Sequence, residues 1–327
     1  MKLFIHIGLP KTAITTLSYF FETSKQINFL GRPLKPIYQK IWNSMIFDNE
    51  KKYKKKIIDL NKNILKSLSE DKVNMLLIEG ITDPFYSINN NVNFIERLKL
   101  LKNTLKKKVK IKIIFVMRNH PDFIFSRFIE SPQSFENYDK KWKNFEKLKD
   151  SFKETKMKKK TKNFYMYFSF YKICRSLVSS FGEKNVNFLL YEQLKYEKNL
   201  FSKKLSKILG INHIKISKIL IQNTLNKSLN LKKNIYIRKN YQLNNIVIDN
   251  IIYRKFNKKI PRNFKNFFKN LVIKFDKLFY KLIIIFFPIH KVKINEKERH
   301  LIRKFFYSDI KKTEKNFKLN FKKYNYY

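Results

Sequence analysis

Four near-continuous apolar runs constrain this chain more than any other feature: Leu3–Ile7, Met75–Ile78, Ile111–Met117 and Val186–Leu190. A strand with one wet face alternates apolar and polar residues, whereas a strand covered on both faces does not. The runs therefore predict a parallel sheet flanked by helices. Segments of helical spacing lie between them. Thr12–Ser24 follows the first run, and Lys51–Leu68 carries Ile57, Ile58, Ile64 and Leu65. Phe164, Phe168, Tyr171, Cys174, Val178 and Phe181 form a stripe that Gly182 stops, and Leu200–Leu209 stops at Gly210 in the same way. This alternation gives an α/β fold with right-handed crossovers. Each run is followed at once by a polar or special residue: Gly8 and Lys11, Glu79, Arg118, then Tyr191 with Glu192. Open parallel sheets bind ligands at the carboxyl ends of their strands, so these residues are expected to converge on one crevice.

The first of those strand ends reads IHIGLPKTAITTL, Ile5–Leu17. Gly8 permits close approach of backbone to ligand. Thr12 and Ala13 are expected to open a helix whose free N–H groups and positive dipole end bind an anion. Lys11 adds a point charge, and Thr12, Thr15 and Thr16 add hydroxyl donors. The order differs from the nucleotide triphosphatase loop, in which a second glycine precedes the lysine and a hydroxyl follows it for magnesium. The chemistry implied is phosphate binding with no metal required.

The loop resembles the 5′-phosphosulfate loop of the sulfotransferase family, through Gly8, Pro10, Lys11, Thr12, Ala13 and Thr15. Ile14 stands where that family usually has Ser or Thr, a departure expected to remove one hydroxyl and leave the backbone N–H in place. A second element, VMRNHPDFIFSRF at Val116–Phe128, resembles the family's 3′-phosphate element, a strand ending in Arg with Ser eight residues on; Arg118 and Ser126 fit. An Arg at a strand end can present a bidentate fork to a phosphate. Further likenesses lie in the strand ending at Glu79, in the late strand and helix from Val186 to Ile211, and in Asn226–Asn230, which looks like an Asn-x-Ser-Leu stretch of bacterial carbohydrate-type members.

That resemblance implies a P-loop-like fold and transfer of a sulfuryl group from 3′-phosphoadenosine 5′-phosphosulfate (PAPS) to an acceptor hydroxyl, with a carbohydrate or glycan the expected acceptor. Lys11 and Glu79 are the expected catalytic residues, Glu79 as general base. Gly8, Pro10, Lys11, Thr12, Ala13, Ile14, Thr15, Thr16, Arg118 and Ser126 are the expected nucleotide-binding residues. His120 is an alternative base. His6 reads as a hydrogen-bonded core histidine, Tyr191 and Glu192 as structural, Trp42 and Trp142 as core, and Cys174 as inert. A nucleic-acid-binding protein and a P-loop-like nucleotide kinase are the alternative functions.

The net charge of +47 over 327 residues raises the nucleic-acid alternative. The lysines are spread along the whole chain, however, and Lys, Asn, Ile, Phe and Tyr are all abundant and all have A/T-rich codons. Compositional bias accounts for that pattern, and no specific nucleic-acid partner is expected. One cysteine excludes an intrachain disulfide. No signal peptide or membrane-spanning run is visible, so a cytoplasmic place is expected. The apolar and basic stretch within 264–293 could lie on an anionic membrane surface or pack as a core helix. The α/β core is expected over 1–230, with a basic, aromatic-rich helical region over 231–327 packing on it.

Overall fold

The structure is a computed structural model that describes residues 1–9, 11–31, 36–78, 80–82, 93–105, 108–130, 134–136, 139–143, 145–153, 165, 167–212, 216, 220 and 294–327. The strands are β1 (Lys2–Gly8), β2 (Ile27–Phe29), β3 (Val73–Leu77), β4 (Lys110–Met117) and β5 (Val186–Leu190). They form one parallel sheet in the order β2-β3-β1-β4-β5. The helices are α1 (Ile14–Thr23), α2 (Pro36–Ile46), α3 (Glu50–Ser67), α4 (Phe94–Leu105), α5 (His120–Glu130), α6 (Phe145–Asp150), α7 (Phe170–Phe181), α8 (Tyr191–Tyr196), α9 (Lys198–Leu209) and α10 (Glu296–Phe317). The expected parallel sheet flanked by helices is thus the fold.

Four of the strands are the apolar runs. The fifth, β2, has three residues at the sheet edge and is too short to show a period. Neighbours hold it in place: Asn28 Nδ2 donates to Asn74 Oδ1 at 2.8 Å, and Leu30 N–H donates to Met75 O at 2.7 Å. One face of the sheet, with Phe4, Met75, Leu77, Ile114 and Val116, packs against Leu17, Phe20 and Phe21 of α1 and Phe201, Leu205 and Leu209 of α9. On the other face, Cys174 of α7 lies 3.9 Å from Met117 of β4, sulfur to sulfur, and burial raises its thiol pKa. The helix limits follow local chemistry. Asn49 caps α3 by accepting from Lys52 N–H at 2.9 Å, and Ser169 caps α7. Gly182 and Gly210 end α7 and α9 at φ 82° and 71°.

Chain contacts give two compact units, one of Met1–Ile124, Lys149–Lys227 and Glu296–Tyr327, the other of Phe125–Leu148 and Ser228–Asn295. In the first, α10 buries Ile302, Phe306, Ile310 and Thr313. Its Asp309 accepts from Phe170 N–H at 2.8 Å at the start of α7. In the second, Phe128 packs on Phe135 and Phe145, and Trp142 is buried. Residues 221–293, including the stretch within 264–293, lie outside the described residues.

Two histidines are buried in the first unit. His6 lies on β1 with its ring edge-on to Phe21, and neither ring nitrogen has a hydrogen-bond partner among the described residues. It is a core histidine, as expected, but not a satisfied one. His120 is stacked between Phe170 and Phe306 at 4.1 and 3.9 Å, with Nε2 donating to Phe168 O at 2.8 Å. Burial lowers the pKa of His6 to about 4 and that of His120 to about 3. Both stay neutral when folded and gain a proton near pH 6.5 when unfolded. Stability is therefore full above that pH and is lost as pH falls toward those values. Each histidine is expected to cost about 2 kcal/mol between pH 7 and pH 5. Urea midpoints at the two pH values, compared with those of His120→Phe, check this: the variant should lose about 2 kcal/mol less over that interval.

Candidate active site

β1 and β4 are neighbours whose onward connections part, β1 leading to α1 and β2 on one side of the sheet and β4 to β5 at the opposite edge. A crevice opens at such a point, outside the carboxyl ends of the two strands. Gly8 is in register with Val116, so Arg118 begins just beyond the level at which β1 ends.

The loop after Gly8 is held tightly by its own side chains. Thr12 Oγ1 donates to Leu9 O at 2.7 Å, and Thr82 Oγ1 donates to Gly8 O at 2.6 Å. A Cβ on Gly8 would stand 2.8 Å from Thr12 Oγ1, so glycine is needed there. Lys11 and Ala13 adopt φ 67° and 61°, left-handed values that cost a non-glycine residue about 1 kcal/mol or more. The helix starts at Ile14, two residues later than the spacing suggests. Thr12 is turned back onto Leu9, and Ala13 occupies the cap position with no side-chain oxygen to offer. The first internal bond of α1 is Leu17 N–H to Ala13 O at 3.0 Å. The amides ahead of it are those that a helix cannot satisfy within itself, and they carry its positive dipole end.

The expected site residues divide by exposure. Thr12, Ile14 and Thr16 are buried, Lys11 and Ala13 are half-buried, and Thr15 is exposed. Thr12's hydroxyl is spent within the loop. Ile14 heads the buried stripe of α1 and packs in the core with Leu17, Phe20 and Phe21. The Ile14 side chain thus has a packing role that the expectation of a merely lost hydroxyl did not include. Pro10 and Glu79 lie outside the described residues.

Arg118 joins the turn after β4 to this loop. Its Nη1 donates to Lys11 O at 2.8 Å, and its guanidinium carbon lies 4.6 Å from the centre of the Tyr191 ring. Its Nε is buried and has no partner among the described residues. The next residue, Asn119, donates through its backbone N–H and Nδ2 to Glu192 Oε1 at 3.0 and 2.9 Å. Burial raises the Glu192 pKa, against the hydrogen bonds from Tyr326 and Asn119. Ser126 is half-buried on α5, eight residues after Arg118. His120, the alternative base, is fully buried between Phe170 and Phe306. Sequence reasoning missed Thr82, Asn119 and Tyr326. Asn119 adjoins an expected residue, whereas Thr82 and Tyr326 belong to no pattern that could have marked them.

No cluster of three or more His, Cys, Asp or Glu among the described residues is placed to hold a metal ion. Among them also, no helix is long and apolar enough to cross a membrane. No family model matches the sequence, and no curated protein matches it. Two solved structures are similar to it. A sulfotransferase from Alicyclobacillus acidocaldarius has 11% identity and a TM-score of 0.43, covering 77% of this chain and 96% of its own. The mouse sulfotransferase SULT7A1 complexed with PAP has 19% identity and a TM-score of 0.37, covering 92% of this chain and 88% of its own. The chemistry of the site rests on this chain's own residues.

Ile14→Thr is expected to lower stability by about 1–3 kcal/mol, through lost packing and a buried hydroxyl, without tightening phosphate binding. Thermal melting together with nucleotide titration of the variant checks both parts.

Proposed function

We propose that the chain transfers a sulfuryl group from PAPS to an acceptor hydroxyl. The observation that carries this reading is Arg118. Its fork bonds the Lys11 carbonyl at 2.8 Å while its buried Nε keeps an unused donor, beside a helix start without a side-chain cap. Two groups of donors at one crevice suit a ligand with two separate phosphates. The tight, glycine-dependent turn at Gly8 is a further fit to such a group.

In this reading, the backbone amides at the start of α1 hold the 5′-phosphate, with Thr15 and Thr16. Thr12 and Gly8 act by shaping the loop. Arg118 and Ser126 hold the 3′-phosphate, which separates PAPS from ATP. When bound, PAPS supplies the activated sulfuryl group. Lys11 places positive charge where charge gathers as the phosphate departs, and Glu79 takes the proton of the attacking hydroxyl. Such positioned charge and general-base help are the main terms available for group transfer of this kind. A carbohydrate is the first acceptor class to test, on the likeness at Asn226–Asn230.

Isothermal titration should show 3′-phosphoadenosine 5′-phosphate (PAP) binding roughly ten- to a hundred-fold tighter than 5′-AMP, the range for one charge-assisted contact. Arg118→Gln should erase that difference. Equal affinity for the two nucleotides in the wild type would refute the reading. Separately, Glu79→Gln should keep nucleotide affinity and lose at least ~100-fold in kcat; near wild-type turnover on the acceptor would remove Glu79 from the mechanism.

A further inference from the structure

We infer that Tyr326 and Glu192 are positioning residues for Arg118, so that a segment far along the chain sets the preference for a 3′-phosphate; this rests on the PAPS reading above. Glu192 is buried, and both its oxygens are used. Oε1 accepts twice from Asn119, and Oε2 accepts from Tyr326 Oη at 2.6 Å. The backbone N–H of Asn119 belongs to the peptide plane that it shares with Arg118. Pinning that plane fixes the direction in which the Arg118 side chain leaves the strand. The residue before Glu192 is Tyr191, whose ring lies 4.6 Å from the guanidinium. One dipeptide, Tyr191–Glu192, therefore holds Arg118 at both its backbone and its head.

Tyr326 keeps that dipeptide's carboxylate from turning. Its ring is fully buried and stacked on Phe321 at 4.4 Å. A second tie reaches the same turn. Asn119 Oδ1 accepts from Asp122 N–H at 3.0 Å, and the Asp122 carboxylate pairs with Arg299 of α10 at 2.6 Å. Neither Glu192 nor Asp122 forms an ion pair with Arg118 among the described residues. They orient Arg118 through its neighbour rather than by a direct bond.

Tyr326→Phe keeps the buried ring and removes only the bond to Glu192. PAP and 5′-AMP are titrated into the wild type and this variant by calorimetry. PAP should bind roughly three- to ten-fold more weakly to the variant, with 5′-AMP unchanged. Loss of both affinities alike, or of neither, overturns the inference, because a merely structural role does not separate the two nucleotides. If the wild type itself shows no preference for PAP, the PAPS reading falls and this inference with it. Should Tyr326→Phe melt too low for titration, Glu192→Gln, which keeps the side chain's size and removes its charge, is held to the same two outcomes.

Discussion

β1 is the centre strand, and it pairs with β4 from Lys2↔Lys110 to Gly8↔Val116. The loop after β1 and the turn after β4 are thereby held side by side, whatever else the chain does. Their contact, Arg118 on the Lys11 carbonyl, spans 107 residues of sequence at a distance of 2.8 Å. With β3 on its other side, β1 is buried from Leu3 to Gly8, so neither its register nor its level in the sheet can slip without exposing core. The nearness of the loop and the turn is a product of that pairing, and the helices on the two faces keep the sheet beneath them buried.

The loop itself is built against local preference. Two non-glycine residues are held at positive φ, and the helix start is left without a polar cap. Thr12, Thr82 and Arg118 each bond a carbonyl of Gly8–Lys11 and so stabilise a shape that the loop alone would not keep. Strain of this kind persists only where the surroundings overdetermine it. Three bonded carbonyls within Gly8–Lys11 are such surroundings.

Much of this was legible in the residues. Near-continuous apolar runs identified four strands because burial on both faces leaves a mark that needs no context. β2 left none, since three residues at an edge depend on Asn28 and Asn74 rather than on a period. Arg118 was legible from its place at a strand end. The packing of Ile14 was not legible, because a motif gives a residue's identity and not the direction of its side chain; the buried stripe of α1 decides that. His120 was polar and beside Arg118, yet its ring is walled in by Phe170 and by Phe306, which lies far along the chain. Tyr326 could not be found at all, because its partner Glu192 is 134 residues away.

That separation has a consequence for synthesis. The loop, β4 and Arg118 are all made before residue 120, and local helices can form as they emerge. Glu192 must then wait for the translation of 134 further residues before Tyr326 arrives to fix it. Contacts of such sequence separation are slow to close and form late in folding. A nascent or truncated chain can therefore carry the loop, β4 and Arg118 and still hold a buried carboxylate with one oxygen unpaired, which is a state for chaperones and proteases to recognise.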